Sequence, residues 1–419
     1  MRVTPGRFER LLTGLMDARR SYGGVLTGLY GATFCIRASF GITVVLLSAY
    51  LPLPQAVYGF FIATTPLAEL IAVPFVGIAN DRYGRRAILI GGLGLAGVSL
   101  AGRVFTQDLF PHIVLNAFHG VSAALILVTS LALLADWAAA DSRGREMGIF
   151  DFVNLFGWMV GFIVGLLAKD LLTLRIGFWL ASAIAFVGVG VAAWTVREPR
   201  GPKGESQEVS LADIARVAAN PRIALVLGPW LILFIFIGSF SGFLERLSAA
   251  VGLTGVESAL GLAVLSTVLL ASQVGYGKLS DRYGRGPLIM LGAWGFFAFT
   301  TTVAFLALHT AEGGELRSAA VLEAMPVFGP FLSISFLAML AFAPAALAAL
   351  ADEAQKGPSG VTMSLYSLVV GLGFIIGPSL TGSVVQFTGS AGLAVLLFVE
   401  GLGLVLLVTL RNTIARQLT

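Results

Sequence analysis

Between two long apolar stretches the chain reads Gly77-Ile78-Ala79-Asn80-Asp81-Arg82-Tyr83-Gly84-Arg85-Arg86. After 200 residues it reads Gly277-Lys278-Leu279-Ser280-Asp281-Arg282-Tyr283-Gly284-Arg285-Gly286, again between apolar stretches. Six of the ten positions are identical: two glycines, Asp, Tyr and two arginines. A charged decapeptide that recurs between hydrophobic segments indicates a membrane protein built from two related halves.

The composition supports a membrane environment for most of the chain. Hydrophobic residues make up 57% of the sequence and charged residues 12%, whereas globular domains carry about 25% charged residues. The positions of the basic residues along the chain explain its net charge of +4, so we expect no nucleic-acid partner. We expect the lipid bilayer to be the main surroundings.

Twelve stretches are long and apolar enough to cross a bilayer as helices, which takes about 20 residues. They are too long and too rich in Gly, Ala and Leu for the alternating strands of a membrane barrel. They cover residues 24–49, 57–79, 87–106, 112–135, 147–168, 174–196, 223–248, 258–279, 287–308, 326–351, 360–386 and 390–411.

The basic residues predict the orientation of these spans. With the N-terminus inside, 21 of the 27 Lys and Arg residues lie in inner segments, five lie in outer segments, and Arg37 lies within span 1. Because basic residues are enriched in cytoplasmic loops, we expect both termini in the cytoplasm and a multi-pass location in the plasma membrane.

A second repeat supports two halves. Leu-Ala-Asp closes span 4 at Asp136 and span 10 at Asp352. The sequence therefore predicts an all-α membrane protein with two pseudo-symmetric six-helix bundles, residues 1–196 and 223–419, joined by a cytoplasmic linker at 197–222.

Twelve spans in two halves, with Gly-x-x-x-Asp-Arg-x-Gly-Arg-Arg between spans 2 and 3, resemble the major facilitator superfamily over almost the whole chain. Two features differ from its drug–proton antiporters. These carry an arginine in span 4, in Arg-x-x-Gln-Gly, where this chain has Asn116-Ala117-Phe118-His119-Gly120. They also have Gly-Pro in span 5, whereas Gly377-Pro378 lies in span 11 here. Both differences weaken the case for drug export.

The resemblance implies that the loop cluster is a conformational latch on the inner side. Asp81 could accept hydrogen bonds at a helix N-terminus, and Arg85 and Arg86 could pair with carboxylates such as Asp136. Alternatively, the arginines mainly set the topology. The predicted latch residues are Gly77, Asp81, Arg82, Gly84, Arg85, Arg86, Asp136, Asp281 and Arg285.

Arg37 and Glu69 each lie twelve residues from the outer end of their spans, or ~18 Å deep at about 1.5 Å per residue. An intramembrane arginine is costly and by default marks a functional site. We expect the two to interact directly, through water or through substrate, with Glu69 exchanging protons. The alternative is a permanent structural ion pair.

Further polar residues on the spans are candidate cavity liners. Asn116 and His119 lie one turn apart on span 4, and His119 could carry protons near neutral pH, although a lone histidine on an apolar helix more often serves packing. The remaining predicted substrate and coupling residues are Asn154, Gln273 and Tyr366.

Glycines four residues apart leave one face nearly bare on span 5, at Gly157 and Gly161, and on span 11, at Gly373 and Gly377. Such faces allow close helix packing, and Pro378 would loosen one turn. The resemblance implies that spans 5 and 11 meet spans 8 and 2 of the opposite half, as a rocking interface. Plain packing is the alternative.

These observations predict a secondary active transporter that works by alternating access, most simply a proton-coupled exporter of drug-like or amphipathic compounds. The alternative is proton-coupled uptake or exchange of an organic anion at Arg37, since Ile36 to Gly41 also looks like span 1 of organic-anion carriers.

The sequence contains no phosphate-binding loop, metal-ligand cluster or catalytic triad spacing, so we expect no enzyme activity, cofactor or metal. A receptor, a scaffold or a membrane enzyme is a less favoured class. We expect a monomer whose partners are a small-molecule substrate and protons.

Overall fold

The structure, a computed structural model, describes residues 7–137, 143–198, 221–312, 315–354 and 359–417. Within these ranges it does not describe the side chains at 7–22, 81, 135, 143–145, 147, 221–226, 274, 315–316, 351–354, 359–364, 390–391, 412 and 414–417. The described chain contains twelve helical segments long and apolar enough to cross a membrane. They overlap the twelve predicted spans one for one, which confirms the all-α membrane fold.

The first six spans are six helices joined by short connections. A 3-10 turn, Arg103–Phe105, follows the third helix. The helices are α1 (Arg7–Tyr50), α2 (Gln55–Tyr83), α3 (Arg85–Gly102), α4 (Leu109–Trp137), α5 (Arg143–Leu171) and α6 (Leu174–Thr195).

The last six spans are less regular. Span 10 is split between two helices. Spans 11 and 12 are two helices that meet at Gly389, where the backbone is not helical (φ 65°, ψ −164°), and both lie within the range Ser359–Gln417. Two strands, β1 (Ala311–Glu312) and β2 (Glu315–Leu316), pair antiparallel before span 10. The helices are α7 (Pro221–Ala250), α8 (Gly255–Tyr283), α9 (Arg285–Thr310), α10 (Ser318–Met339), α11 (Phe342–Ala354) and α12 (Ser359–Gln417).

Each copy of the repeated loop breaks the chain at its second glycine. Gly84 separates α2 from α3 with φ 85° and ψ 146°. Gly284 separates α8 from α9 with φ 89° and ψ 160°. Residues with a Cβ avoid this region of backbone space. The two glycines therefore end one span and start the next with the same sharp turn.

The contacts divide the described residues into two compact units. Unit 1 comprises those within Met1–Leu46, Ala68–Ala168 and Leu172–Lys203. Unit 2 comprises those within Leu47–Leu67, Lys169–Leu171 and Gly204–Thr419. The predicted domains 1–196 and 223–419 stay a prediction, and most of the predicted linker lies outside the described residues.

The glycine face of α5 packs on α1. A Cβ on Gly161 would lie 2.3 Å from the carbonyl oxygen of Ala38, and one on Gly157 would lie 2.9 Å from that of Phe34. The sequence analysis had assigned this face to span 8 of the opposite half. That assignment is wrong for these two glycines, because their missing side chains are what allow α1 and α5 to touch within unit 1.

The corresponding face of span 11 packs on α7, where a Cβ on Gly377 would lie 2.3 Å from the carbonyl oxygen of Ile235 and one on Gly373 would lie 2.4 Å from the Cβ of Phe234. The prediction of span 2 as partner is therefore wrong for Gly373 and Gly377. At the next residue, a Cβ on Gly59 of α2 would lie 2.2 Å from the carbonyl oxygen of Pro378, within unit 2. The rocking interface stays a prediction.

Candidate functional site

A small cleft lies inside unit 1. Polar and apolar side chains of α1, α4 and α5 face it together. The lining residues are Thr33, Ile36, Arg37, Phe40, His119, Ser122, Ala123, Ile126, Leu127, Phe150 and Asn154. Three predicted site residues, Arg37, His119 and Asn154, are thus brought together.

Arg37 is anchored to α5 by a side-chain hydrogen bond. Its Nε donates to Oδ1 of Asn154. The close packing of α1 on α5 permits this contact, because a Cβ on Gly157 would lie 3.0 Å from the Cβ of Arg37. The glycine pattern noted in the sequence therefore sets the position of the guanidinium in the cleft.

Two carboxylates lie near enough to Arg37 for their charges to interact with it: Glu69 on α2 and Asp151 on α5. Among the described residues, no ion pair within 4.0 Å joins Arg37 to either of them. The structure thus places Glu69 in electrostatic range of Arg37 while Asn154 is the direct partner. The sequence suggests an interfacial residue or an inter-helix pair for Asp151, just inside span 5, but does not identify Arg37 as its neighbour.

His119 faces the cleft from α4 and is 3% exposed. Its ring stacks on Phe40, with the ring centroids 5.5 Å apart. Its Nδ1 lies 3.4 Å from the hydroxyl oxygen of Ser99 on α3. The imidazole therefore connects the cleft to the buried α3–α4 contact behind it.

Asn116 does not line the cleft. It is 1% exposed, and its Oδ1 accepts a hydrogen bond of 2.7 Å from Nη2 of Arg103. The sequence places Arg103 near the outer end of the predicted span 87–106, with the basic residues of the outer segments. The contact brings a guanidinium to the place where the antiporter motif has its arginine. Only the packing of α3 on α4 reveals it.

The remaining two predicted liners belong to unit 2. Tyr366 packs edge-on against Trp230, with centroids 5.3 Å apart, and also touches Phe234. These rings belong to the buried core of unit 2. Gln273 is half-buried on α8. Tyr366 thus contributes to packing.

The first loop copy is held by charged contacts within unit 1. Arg85 forms an ion pair with Asp136 and donates to the carbonyl oxygen of Ala132, 3.1 Å away. Arg86 donates instead to main-chain carbonyls at the end of α6, those of Val196 and Ala193, at 2.9 and 2.6 Å.

Glu198 completes this cluster and was missed by sequence reasoning. Its carboxylate accepts hydrogen bonds of 2.9 Å from the backbone N–H groups of Arg85 and Arg86. It thereby occupies the N-terminus of α3, where negative charge is favoured. The side chain of Asp81, which was predicted to play such a role, lies outside the described residues. Arg82 stacks over the exposed ring of its neighbour Tyr83.

A second charged cluster lies within unit 2. Glu245 is 8% exposed, accepts from Ser48 and pairs with Lys169, both at 2.8 Å. Arg246 stacks on the buried ring of Tyr58, 3.9 Å from its centroid. Glu245 and Arg246, near the outer end of span 7, therefore belong to a buried cluster rather than to a surface pair.

Comparison with protein families shows one match over most of the chain. The family model described as Major Facilitator Superfamily matches residues 27–322. Multidrug resistance protein 2 of Bacillus subtilis is 27% identical over 352 residues, which are 77% of this chain and 78% of that protein. Multidrug resistance protein MdtG of Proteus mirabilis is 26% identical over 239 residues, 55% of this chain. That match spans only 59% of the relative's length.

Solved structures share the fold at low sequence identity. A D-xylose–proton symporter superposes with a TM-score of 0.68 and 17% identity, over 93% of this chain and 96% of the symporter. The nucleoside transporter NupG superposes with a TM-score of 0.64 and 12% identity, over 93% of this chain and 98% of the transporter.

Proposed function

This chain belongs to the Major Facilitator Superfamily of membrane transporters, and we propose that it exports small amphipathic organic compounds in exchange for protons. The observation that carries the proposal is the composition of the unit 1 cleft. It sets Arg37, Asn154 and His119 against an apolar wall that includes Ile126 and Phe150. A compound with one polar end and one apolar body matches such a site.

Glu69 is the residue to which we assign proton coupling. A carboxyl group within a span is costly and usually functional. Arg37 donates to Asn154 and influences Glu69 only from a distance. Glu69 is therefore not held by a direct ion pair with Arg37, and protonation would change the charge of the site without breaking a hydrogen bond between them.

Two observations favour export of neutral or cationic amphiphiles. Relatives that match the chain are named multidrug resistance proteins. In addition, the charge of Arg37 is balanced by Glu69 and Asp151. An arginine with two carboxylates in range attracts an anion less strongly than an isolated one.

The alternative is uptake or exchange of an organic anion at Arg37. The side chains of Arg37 and Asn154 both face the cleft, and a guanidinium suits a carboxylate or phosphate. Only Nε of Arg37 donates to Asn154, so the Nη1 and Nη2 groups would bind the anion while this hydrogen bond persists. Protonation of Glu69 would then strengthen anion binding.

The loop cluster is assigned the role of a latch. Arg85, Arg86 and Glu198 tie the turn at Gly84 to the ends of α4 and α6, which supports this role within unit 1. We also assign Gly77, Asp81, Arg82, Asp281 and Arg285 to the latch. We further propose that the transporter is a monomer in the plasma membrane with both termini in the cytoplasm.

The test is transport into proteoliposomes under an imposed pH gradient, with a lipophilic cationic dye and a carboxylate-bearing dye as probes. We expect wild type to transport the cationic dye only with the gradient. Glu69→Gln should retain binding and lose the response to the gradient. Asp151→Asn, the matched control, removes the other nearby carboxylate and should keep the response.

Two outcomes would contradict the proposal. If Glu69→Gln responds to the pH gradient as wild type does, Glu69 has no coupling role. If only the carboxylate dye is transported, and Arg37→Gln abolishes that transport, the organic-anion alternative is correct.

A further inference from the structure

Arg103 is the most deeply buried cation of the described chain outside the cleft. Its side chain is 1% exposed and ranks first by volume among the fully buried side chains. It lies in the 3-10 turn that follows α3, between helices that the α3–α4 and α3–α6 packing brings together. Burying an unpaired charge is strongly unfavourable, so such a guanidinium requires a compensating partner.

The protein satisfies only part of this guanidinium. An arginine side chain has five N–H donors. Nη2 donates to Asn116, while Nε and Nη1 have no hydrogen-bond partner among the described residues. No ion pair to Arg103 is found in the described part of the chain, and no carboxylate influences its charge. Among the described residues, the Nε–H and Nη1–H donors of Arg103 thus lack acceptors, and its positive charge lacks a counterion.

The groups around Arg103 add no negative charge. His112 and His119 lie within electrostatic range of Arg103 and are 0% and 3% exposed. Asn116 and Ser99, at 1% each, are buried with them. Asp108 is the acidic residue near this cluster. It is exposed, and its charge interacts with His112. The local field is therefore positive. Water could fill the open donors, but only an anion would also neutralise the charge.

The occupant must be small. The Arg103 side chain is almost completely enclosed, and the side chain of Leu115 packs against Gly102 beside it: a Cβ on Gly102 would lie 2.9 Å from a Leu115 methyl carbon. A substrate-sized carboxylate or phosphate ester would not fit without opening α3 from α4. Among charged acceptors, a monatomic anion needs the least space beside the guanidinium.

We propose that Arg103 and Asn116 form a buried site for a halide-sized inorganic anion inside unit 1, separate from the Arg37 cleft. The anion accepts hydrogen bonds from Nε and Nη1 of Arg103 and neutralises its charge. Because it lies behind His119, it stabilises the α3–α4 contact that supports the cleft. The site does not depend on the transport proposal, and either can fail alone.

Chloride is the probe for the test. The purified full-length protein is unfolded thermally in sodium chloride or in sodium gluconate at equal ionic strength, and binding of radiolabelled chloride is measured in parallel. We expect chloride to raise the midpoint saturably, by about 3 °C, and to bind at a single saturable site. Arg175→Gln, which removes an exposed arginine at the start of α6, should keep both effects.

Two variants in the site decide the proposal. Arg103→Gln should lose the chloride-dependent shift and the binding. Asn116→Asp places a carboxylate on the guanidinium and should fold in gluconate with no response to chloride. Asn116→Asp keeps the test decisive if Arg103→Gln does not fold. The proposal is overturned if wild type shows no saturable chloride effect, which means that water alone solvates Arg103, or if Asn116→Asp still binds chloride as wild type does.

Discussion

In the first loop copy Arg85 reaches across to Asp136 on α4, whereas in the second copy Arg285 donates to Ser280 and Asp281 of its own loop. The side chains of Arg85 and Asp136 are 16% and 30% exposed, and those of Arg285 and Asp281 are 30% and 71% exposed. Exposed ion pairs contribute little. The duplicated backbone has thus kept its turn while the energetic weight of its charges has diverged.

The second difference is at the last position of the loop. Arg86 donates to two carbonyl oxygens at the end of α6, and Gly286 has no side chain to do so. The comparison teaches that the repeated motif keeps its turn while its last position differs: Arg86 ties the first copy to the end of α6, and Gly286 cannot do this in the second. Four predictions test this asymmetry.

The largest effect is expected from removing Arg85. Arg85→Ala should reduce the free energy of unfolding by about 2 kcal/mol, because Asp136 loses its charged hydrogen-bond partner. Asp281→Ala, which removes the exposed Arg285–Asp281 pair of the second copy, should cost less than about 1 kcal/mol. Unfolding in detergent micelles measures both. Equal losses would mean that the two copies are equivalent.

A smaller effect is expected from adding a methyl group to the turn glycines. Gly84→Ala and Gly284→Ala should each cost about 1–2 kcal/mol, because both positions have positive φ. The loss should be greater at Gly84, where a Cβ would lie 3.2 Å from the Glu198 carboxylate, whereas nothing lies within 4 Å at Gly284.

Gly77→Ala is the matched control for these two variants. Gly77 lies within α2, and a Cβ there would meet nothing within 4 Å. The substitution should be neutral or slightly stabilising. If all three alanine variants behave alike in unfolding experiments, the positive φ at Gly84 and Gly284 carries no energetic weight.

Glu198→Gln should cost about 1 kcal/mol, because the carboxylate at the N-terminus of α3 accepts from two backbone N–H groups and interacts with the helix dipole. Unfolding at low and high salt checks the electrostatic part, since the difference from wild type should shrink as salt screens it. A loss that is independent of salt would indicate that the hydrogen bonds alone matter.

The smallest effect is expected from Gly286→Arg, which copies Arg86 into the second loop. A Cβ at this position would meet nothing within 4 Å, and an exposed arginine changes stability by less than about 0.5 kcal/mol. The same unfolding assay measures it. A gain comparable to the loss caused by Arg85→Ala would show that the second loop can be turned into a clamp by one residue.

Sequence reasoning was most successful for features that depend on local composition. The twelve spans follow from the length of the apolar segments, because about 20 consecutive apolar residues form a helix long enough to cross the hydrocarbon core of a bilayer. The depth argument placed Arg37 and Glu69 at the same level, and their charges do interact. The glycine spacing identified close helix contacts at Gly161 and Gly377.

It was less successful wherever the partner of a residue had to be named. Periodicity shows that a face is bare, but it does not show which helix covers it, and α1 rather than span 8 covers Gly161. Arg103 looked like a loop cation, because its burial arises from α4 and α6 packing over the end of α3. Glu245 looked exposed for the same reason, since Ser48 and Lys169 enclose it from distant parts of the chain.

The sequence by itself determined the membrane fold, the repeated loop with its two turn glycines, and the presence of charges at mid-membrane depth. These features depend on length, hydropathy and backbone freedom, which are local properties of the chain. Only the tertiary structure decided that Asn154 holds Arg37, that Arg103 lies buried against Asn116, and that Arg85 pairs with Asp136 across helices. Those contacts join residues far apart in the chain, and their strength depends on burial, which no segment determines alone.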